Sequence, residues 1–323
     1  MSLKKCAAAV RRNKSFVITT HVNPEGDALG SQIAFYNLLK KLGKQAVMLN
    51  ADRTPLEYEF IPGQEIIRVL NHKVRMISDF DCLCVLDCSD LERAGKMSHL
   101  NYESRTILNI DHHISNIKFG DINWVEPEAS CTSEMVYKLY KYLRLPIDRD
   151  TAMALYVGIM TDTGSFRYSN TSAFTHRVAA ELMRHGIDTV EVYKNIYGSV
   201  PYEEARLLVR ILPTMKRECG GKLVWFQVPH NLLKGKKIIF DIGEHILSFG
   251  RAMKGVEVVA LFKENLGVRR EIRVNLRSQG KTDVNKIAKC FGGGGHKSAA
   301  GITMHGGISS VRKKVLAKIR AAL

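Results

Sequence analysis

The chain has 323 residues, of which 45% are hydrophobic, and a formal net charge of +16 at pH 7. This length is enough for two domains with a well-buried core, and no apolar stretch is long enough to span a bilayer. The N-terminal segment MSLKKCAAAVRRNKS has an Ala-rich patch that is too short for a signal peptide. We therefore expect a cytoplasmic protein without a membrane partner. The excess positive charge favours a phosphate-rich partner, with a merely basic surface as the alternative.

The cysteines are consistent with a reducing compartment. There are seven, and Cys82, Cys84 and Cys88 crowd into one apolar stretch, DCLCVLDCS. Their spacing matches no zinc knuckle or ribbon. We expect buried, reduced thiols rather than metal ligands.

The first half of the chain alternates strand-like and helix-like segments. Apolar residues recur at helical spacing from Leu29 to Leu42, and this predicted helix ends at Gly43. Alternating strands and helices predict an α/β fold with a parallel sheet covered by helices on both faces. The predicted strands are 15–20, 44–50, 82–87 and 105–111, and further helices are predicted at 131–143 and 171–186.

After Gly186 the pattern changes. A helical stretch, 190–212, is interrupted near Gly198 and Pro201. Three strand candidates and two helix candidates then lie close together, which predicts a second, smaller α/β domain across a cleft. We divide the chain into a first domain over 1–188, a helical linker over 189–215 and a C-terminal domain over 216–323. The strand candidates are 221–228, 255–264 and 269–278, and the helix candidates are 241–253 and 282–290.

Polar residues follow the apolar strands at the point where each strand ends. His21 follows the first predicted strand, Asp87 closes the third, and Asp111, His112 and His113 close the fourth. In an open α/β sheet, ligands bind beside the carboxyl ends of the strands. Three strands therefore deliver acids and imidazoles to one edge of the predicted sheet.

Three more acids belong to the same set. Glu25 and Asp27 follow His21 across one glycine, and Asp162 closes the apolar run ALYVGIMTD, which periodicity alone leaves open as helix or strand. Each residue has an ordinary alternative: Asp27, for example, suits the N-cap of the helix that follows it.

Taken together, these residues favour a metal site. Clustered like charges are unfavourable unless a cation neutralises them. Imidazoles and carboxylates suit Mn²⁺, and also Zn²⁺ or Fe²⁺. Six candidate ligands exceed one tetrahedral site, whereas two ions about 3.5–4 Å apart that share a carboxylate are usual in phosphoryl hydrolysis.

A glycine run near the C-terminus, CFGGGGHKSAAGITM, is the second candidate site. A flexible hinge is the ordinary alternative, but a predicted helix precedes the run and small residues follow it. Glycine lets successive backbone N–H groups face one anion, and arginine can hold phosphate through two hydrogen bonds. The candidate substrate contacts are Gly292, Gly293, Gly294, Gly295, His296, Arg277 and Ser278.

The motifs together resemble the DHH phosphoesterase superfamily. HVNPEGDALGS, VLDCSD, NIDHHISN and TDTGSFRYSNTS are similar to its four N-terminal motifs, in order, and GGGGHKSAAG resembles the signature of the DHH-associated C-terminal domain. In size and motif spelling the chain is most similar to the NrnA group. These are cytoplasmic enzymes that degrade very short RNA and dephosphorylate 3′-phosphoadenosine 5′-phosphate (pAp) to AMP.

The resemblance implies a site with two Mn²⁺ ions. One ion would be held by His21 and Glu25, the other by Asp27, His112 and Asp162, and Asp87 would bridge both. His113 would face the scissile phosphate, and Asp111 would orient the histidines. The glycine run, His296 and Arg277 would reach the substrate across the cleft. The family usually has Asp at the position of Glu25, so this ligand is the departure from its pattern.

We therefore expect a metal-dependent phosphoesterase that acts on short single-stranded RNA, on pAp, or on both. The alternatives within the enzyme class are a RecJ-like exonuclease, a phosphodiesterase for the products of cyclic dinucleotides, and a pyrophosphatase or exopolyphosphatase. From another class, a nucleotide-binding protein without catalysis is the alternative. The sequence leaves a homodimer open.

Overall fold

Two six-stranded sheets organise the residues that the structure describes, and each belongs to a separate unit of the chain. The computed structural model describes residues 2–70, 80–100, 105–228, 232, 242–264 and 271–323. The first unit is Met1–Ser199 and the second is Val200–Leu323.

The sheet of the first unit is parallel throughout, as predicted, in the order β3-β2-β1-β4-β5-β6. Its central strands are the three that we expected to carry the polar residues, and they are neighbours. Their carboxyl ends therefore meet at one edge. The strands are β1 (Ser15–Thr19), β2 (Gln45–Asn50), β3 (Arg68–Val69), β4 (Cys82–Leu86), β5 (Thr106–Asp111) and β6 (Ile122–Val125).

Both faces of this sheet are buried. Phe16 and Ile18 of β1 face a large core that the α-helices cover, whereas Val17 faces a smaller core with Ala94 and Met97 of the 3-10 segment Leu91–Leu100. This alternation follows from the period of two along a strand. The α-helices of the unit are α1 (Ser2–Arg12), α2 (Gly26–Lys41), α3 (Thr132–Leu143), α4 (Arg149–Asp162), α5 (Ala173–Met183) and α6 (Thr189–Tyr197).

Helix α4 resolves the ambiguity between helix and strand. It packs against α2, α3 and α5, and ten of its residues, from Thr151 to Met160, are buried. A helix that is enclosed on all sides is apolar all round and shows no stripe. Close approach to α2 requires Gly30, because a Cβ there would collide with the carbonyl oxygen of Ala154.

The second unit is also an α/β structure with both faces of its sheet covered in part. The strand order is β11-β12-β10-β9-β8-β7, antiparallel except for the parallel pair β8 and β9. Its elements are α7 (Tyr202–Ile211), β7 (Lys216–Glu218), β8 (Leu223–Val228), α8 (Ile242–Arg251), β9 (Val258–Glu264), β10 (Glu271–Ser278), α9 (Val284–Lys289), β11 (Gly294–Gly295), β12 (Ala299–His305) and α10 (Ile308–Ala322).

The predicted interruption near Gly198 and Pro201 separates two helices, α6 and α7. Val192 and Ile196 of α6 belong to the core of the first unit, whereas Leu207 and Ile211 of α7 belong to a core of the second. The separate linker over 189–215 stays a prediction. Among the described residues, no helix combines the length and apolar character needed to cross a membrane.

Candidate metal centre

The ends of three neighbouring strands bring the predicted polar residues together. His21 lies two residues beyond β1, Asp87 comes directly after β4, and Asp111 is the last residue of β5. Asp87 has a φ of +54°, in the left-handed region that Asp tolerates better than most residues. All three side chains are buried.

Asp87 lies between two histidines and faces each with a different oxygen. Its Oδ2 is 3.6 Å from His21 Nε2, and its Oδ1 is 3.6 Å from His112 Nε2. Thr132 Oγ1 donates a hydrogen bond of 3.0 Å to Oδ1, which holds the carboxylate in this orientation. One carboxylate is therefore shared by two sets of candidate ligands.

Asp27 belongs to the set around His112. It accepts hydrogen bonds from the backbone N–H groups of Thr132 (2.7 Å) and Ser133 (2.8 Å), in the first turn of α3. Its Oδ2 is 3.9 Å from His112 Nε2. The N-cap of α2 is Glu25, so the alternative that Asp27 only caps its own helix is wrong.

Asp162 completes this set from the last residue of α4. Its Oδ2 is 3.5 Å from His112 Nε2. Asn170 Nδ2 also donates to Asp162, with 3.2 Å to Oδ2 and 3.1 Å to the backbone oxygen.

Backbone carbonyls select the nitrogen that each of two histidines offers. His21 Nδ1 is 2.8 Å from the carbonyl oxygen of Val22, and His112 Nδ1 is 3.4 Å from that of Ala129. If Nδ1 carries the hydrogen in each contact, Nε2 is the nitrogen that can bind a metal ion. In both residues Nε2 is the atom that faces the carboxylates.

His113 has a different environment. Its Nδ1 donates to Asp111 Oδ1 at 2.7 Å, and Asn116 Nδ2 donates to the other oxygen, Asp111 Oδ2, at 2.6 Å. Asn116 also donates to Asn109 Oδ1 at 2.8 Å. Asp111 thus holds one imidazole in a fixed orientation, and the charge of His113 lowers the pKa of Asp111 against the opposing effect of burial.

Glu25 is the most exposed member of the cluster. Its side chain is 50% exposed, although its Oε1 lies 3.0 Å from His21 Nε2. It makes no capping hydrogen bond to α2. The longer side chain therefore reaches His21 without the backbone support that Asp27 has.

The pKa values of the buried residues are shifted because carboxylates and imidazoles are crowded together. Burial and the charge of Asp87 raise the pKa of Asp27, and burial raises the pKa of Asp162 to about 6. Burial opposes a charged imidazole, but the surrounding carboxylates raise the pKa of His112 to about 9 and that of His21 well above its usual value. Burial also opposes a charged Asp87, yet the hydrogen bond with His21 and the nearby imidazoles hold its pKa well below its usual value.

The donor set fits divalent cations. His21, Glu25 and Asp87 offer ligand atoms within 4.8 Å of one another, and so do Asp27, Asp87 and His112. Without a cation, protons shared between imidazoles and carboxylates balance the charge, and bound metal would replace them. Nitrogen and oxygen donors suit Mn²⁺ and its neighbours in the transition series.

Arg277 and Ser278, at the end of β10, are positioned within the second unit. Arg277 Nη2 donates to Glu244 Oε2 at 2.8 Å, and Arg251 Nη2 donates to Glu244 Oε1 at 2.9 Å. The buried Ser278 Oγ accepts from the N–H of Gly280 at 3.4 Å. Their role in substrate binding stays a prediction.

The second half of the glycine run is a short β-strand. Gly294 and Gly295 pair with Gly301 and Ala300 of β12, and the N–H of His296 donates to Ala299 at 2.6 Å. Residues of any other type would collide with the β12 backbone at two positions, Gly293 and Gly295. The remaining two glycines, Gly292 and Gly294, have open space where a Cβ would stand.

Sequence reasoning missed the residues that support the cluster. Thr132, Ser133, Asn116 and Asn170 are uncharged. The contacts of Thr132 and Ser133 with Asp87 and Asp27, and that of Asn170 with Ser130, join segments that lie far apart in sequence. Asn116 and Asn170 lie inside the quoted motifs NIDHHISN and TDTGSFRYSNTS, which was the available signal. The cysteines agree with the prediction of reduced thiols: all seven are free, and five are buried.

Comparisons with known proteins identify the family. A family model for the DHH family, N-terminal domain, matches residues 15–159, and one for the DHHA1 domain matches residues 235–323. A bifunctional oligoribonuclease and PAP phosphatase NrnA from Thermus thermophilus is 33% identical over 95% of this chain and 89% of its own length. The protein of that name from Bacillus subtilis is 26% identical over 90% of each chain.

A solved structure shares the fold. It is described as an exopolyphosphatase-related protein from Bacteroides fragilis, with a TM-score of 0.87, 26% identity, and coverage of 99% of this chain and 96% of the other. One assignment follows from the two domain matches, from relatives that match over at least 90% of this chain, and from the cluster at the strand ends. The chain belongs to the DHH family, with an N-terminal DHH domain and a C-terminal DHHA1 domain, and it is a phosphoesterase.

Proposed function

We propose that this phosphoesterase hydrolyses short RNA oligonucleotides and pAp to nucleoside monophosphates, with two Mn²⁺ ions. The names of the Thermus thermophilus and Bacillus subtilis relatives support the two substrates. The donor chemistry of the cluster supports the metal, because imidazoles and carboxylates together suit Mn²⁺.

The proposed ligand assignment follows the two halves of the cluster. His21 and Glu25 hold one ion, and Asp87 is shared between the two. When bound, the ions supply Lewis-acid stabilisation of phosphoryl oxygens and lower the pKa of water. The other ion is held by Asp27, His112 and Asp162.

His113 is the proposed catalytic residue that contacts the phosphoryl group. Its Nδ1 hydrogen is committed to Asp111, so Nε2 is the nitrogen that meets the substrate. A protonated His113 donates a hydrogen bond to a phosphoryl oxygen or a proton to the leaving oxygen. Asp111 and Asn116 keep the ring in this orientation.

The second unit supplies substrate binding in this proposal. The N–H groups of Gly292 and Gly293 already donate to Lys289 and Ala288. The open surface at Gly294, with the side chains of His296, Arg277 and Ser278, therefore binds a terminal phosphate or base in this proposal. A binding site for one terminal group favours small substrates.

One observation carries the proposal: Asp87 faces His21 with one oxygen and His112 with the other. A structural ion pair needs only one such partner. A carboxylate shared by two ligand sets is the arrangement used for a pair of cations in phosphoryl hydrolysis.

Purified protein with Mn²⁺, pAp and 5′-labelled RNA from dimers to long strands tests the proposal. We expect monophosphate products from pAp and from the shortest RNA. The variant Asp87→Asn should lose at least about 10³-fold in kcat, which is more than the loss of one electrostatic donor usually costs. Asp90→Asn, three residues along the chain, keeps the oxygen that accepts from the N–H of Glu92; it is the matched control and should retain activity.

The same panel separates the alternatives. Preference for long strands would favour a RecJ-like exonuclease, and preference for linear dinucleotides such as pGpG would favour a phosphodiesterase for cyclic-dinucleotide products. Hydrolysis of pyrophosphate or polyphosphate alone would favour a pyrophosphatase or exopolyphosphatase. Tight pAp binding without turnover would leave only nucleotide binding. A cytoplasmic location and a homodimer stay predictions.

A further inference from the structure

The turn after Asp162 has an unusual backbone. Three consecutive residues, Gly164, Ser165 and Phe166, have φ values of +56°, +58° and +64°. The left-handed region suits glycine but is costly for residues with a Cβ, so Ser165 and Phe166 occupy an unfavourable conformation. Backbone strain of this kind persists where the surrounding structure requires it. The turn sends the chain back so that Asn170 reaches Asp162.

The amide of Asn170 joins the segment just before α3 to the last residue of α4. Its Nδ2 donates to the carbonyl oxygen of Ser130 at 2.8 Å, and to Asp162 through the backbone oxygen and Oδ2. An amide nitrogen has two hydrogens. One serves Ser130, and the other is shared between the two oxygens of Asp162.

Both ends of this connection matter for the cluster. Asp162 Oδ2, which Asn170 contacts, is also the oxygen that lies 3.5 Å from His112 Nε2. Ser130 lies just before α3, whose first residues Thr132 and Ser133 hold Asp27. The amide therefore holds two of the proposed ligands, from α2 and α4, at a fixed separation.

The donor end of Asn170 makes all of these contacts. Within the described part of the chain, its Oδ1 is buried without a hydrogen-bond partner. A buried acceptor without a partner is unfavourable. An apolar residue would fill the same volume without that cost, so packing alone gives no reason for asparagine here.

We propose that Asn170 is a positioning residue for the cation held by Asp27, His112 and Asp162. It fixes the Asp162 carboxylate against the start of α3, so that the oxygen facing His112 is presented to the ion. The inference rests on the proposed function, because it assumes the pair of cations. Residues that orient metal ligands typically contribute 10–100-fold to metal affinity.

Calorimetric titration of the full chain with Mn²⁺, without substrate, tests this role. We expect two sites in the unaltered protein. In Asn170→Ala and Asn170→Leu, one site should weaken roughly 10–100-fold while the other changes by less than about threefold. Asn195→Ala is the control, because it removes an amide that donates to one backbone oxygen, that of Glu191, in an exposed hydrogen bond on α6.

Asn170→Leu separates orientation from packing, since leucine keeps the volume and removes the donor. A double-mutant cycle with Asp162→Asn adds a second criterion: Asn170→Leu should weaken Mn²⁺ binding no further when Asp162 is already altered. Raised Mn²⁺ should restore kcat in the Asn170 variants.

Each other result decides against the proposal. Normal binding of both ions by Asn170→Leu, or additive losses in the cycle, would assign Asn170 to packing. Failure of both variants to fold without metal would assign it to the turn alone. If the unaltered protein binds fewer than two ions, the proposed function and this inference fail together.

Discussion

Charge is distributed differently in the two units of the chain. The first unit contains 24 Lys or Arg residues and 23 Asp or Glu residues, a formal net charge of +1, whereas the second contains 24 and 9, a net charge of +15. Nearly all of the excess of +16 therefore belongs to the second unit. The first unit is nearly neutral overall, although it contains a buried cluster of acidic residues.

The difference separates two ways of interacting with a phosphorylated substrate. In the first unit, buried carboxylates and imidazoles create a site for cations, and the cations would meet the phosphate. In the second unit, an excess of basic side chains beside the glycine run would meet an anion directly. Under the proposed function, the first unit supplies the chemistry and the second supplies substrate affinity.

Among these predictions, removal of the His113 imidazole should have the largest effect, because it tests the chemistry assigned to the first unit. We expect His113→Ala to lower kcat by roughly 10²–10⁴-fold, the usual contribution of general acid–base catalysis. Binding of Mn²⁺ should remain, because His113 is outside the two proposed ligand sets. Steady-state kinetics with pAp and a metal titration provide the two measurements.

The control for this experiment is His99→Ala, on the 3-10 segment Leu91–Leu100. It should leave both kcat and metal binding unchanged. If His113→Ala raised KM and left kcat unchanged, His113 would act in substrate binding. The first unit would then contribute to substrate affinity as well as to chemistry.

The glycine run allows a matched pair of substitutions in the second unit. A Cβ at Gly293 would collide with the carbonyl oxygen of Gly301, whereas one at Gly294 would meet open space. We expect Gly294→Ala to fold normally and to raise KM about tenfold, because in the proposed function the substrate would occupy that space. Gly293→Ala should instead lower the thermal unfolding temperature. An unchanged KM in Gly294→Ala would argue against an anion site at the run.

Monovalent salt should weaken RNA binding, which we assign to the second unit, more than Mn²⁺ binding in the first. If RNA binding neutralises two phosphates, affinity falls with a slope of about −0.7 per phosphate in a log–log plot, or about sevenfold between 50 and 200 mM salt. We expect KM for RNA to rise by this amount while kcat stays constant. Mn²⁺ affinity should change much less, since buried charges are poorly screened. If salt changed KM for RNA and Mn²⁺ affinity equally, the two units would not differ in how they interact with the substrate.

The sequence was most informative where a simple geometric rule applies. Acids and histidines that end parallel strands meet at one edge, so the convergence of His21, Asp87 and Asp111 followed from strand prediction alone. Helix α4 could not be distinguished from a strand, because it is buried on all sides and has no polar face that would reveal a helical period. Strand β12 begins with the small residues Ala299, Ala300 and Gly301, which give no apolar alternation.

The supporting hydrogen bonds could not be predicted for a different reason. Asn170 and Thr132 act through contacts that join α3 and α4 to the cluster, and uncharged polar residues in a turn or first helical turn have many ordinary uses. Such contacts depend on tertiary packing rather than on local sequence. Helix α1 was missed because its segment was considered only as a candidate signal peptide.

The smallest predicted effect concerns the stability of the first unit at the start of α4. Asp148 caps this helix by accepting from the N–H of Thr151 at 2.9 Å, and Lys41 donates to it at 2.5 Å. Asp148→Ala should lower the free energy of unfolding by about 0.5–2 kcal/mol. Lys41→Gln keeps the cap and should cost less, because a pair this exposed is worth at most about 1 kcal/mol. Urea unfolding at pH 7 measures both.

The effect of Asp148 should also depend on pH in a defined direction. Burial opposes its ionisation, but Lys41 and Thr151 outweigh it and lower the pKa of Asp148 to about 2. A carboxyl group whose pKa is lower in the folded state stabilises that state above its unfolded pKa of about 4 and ceases to do so as pH falls to about 2. The difference between wild type and Asp148→Ala should therefore shrink between pH 5 and pH 3. A constant difference would show that the cap does not require the charged form, since a neutral acceptor at Asp148 would then suffice to hold α4.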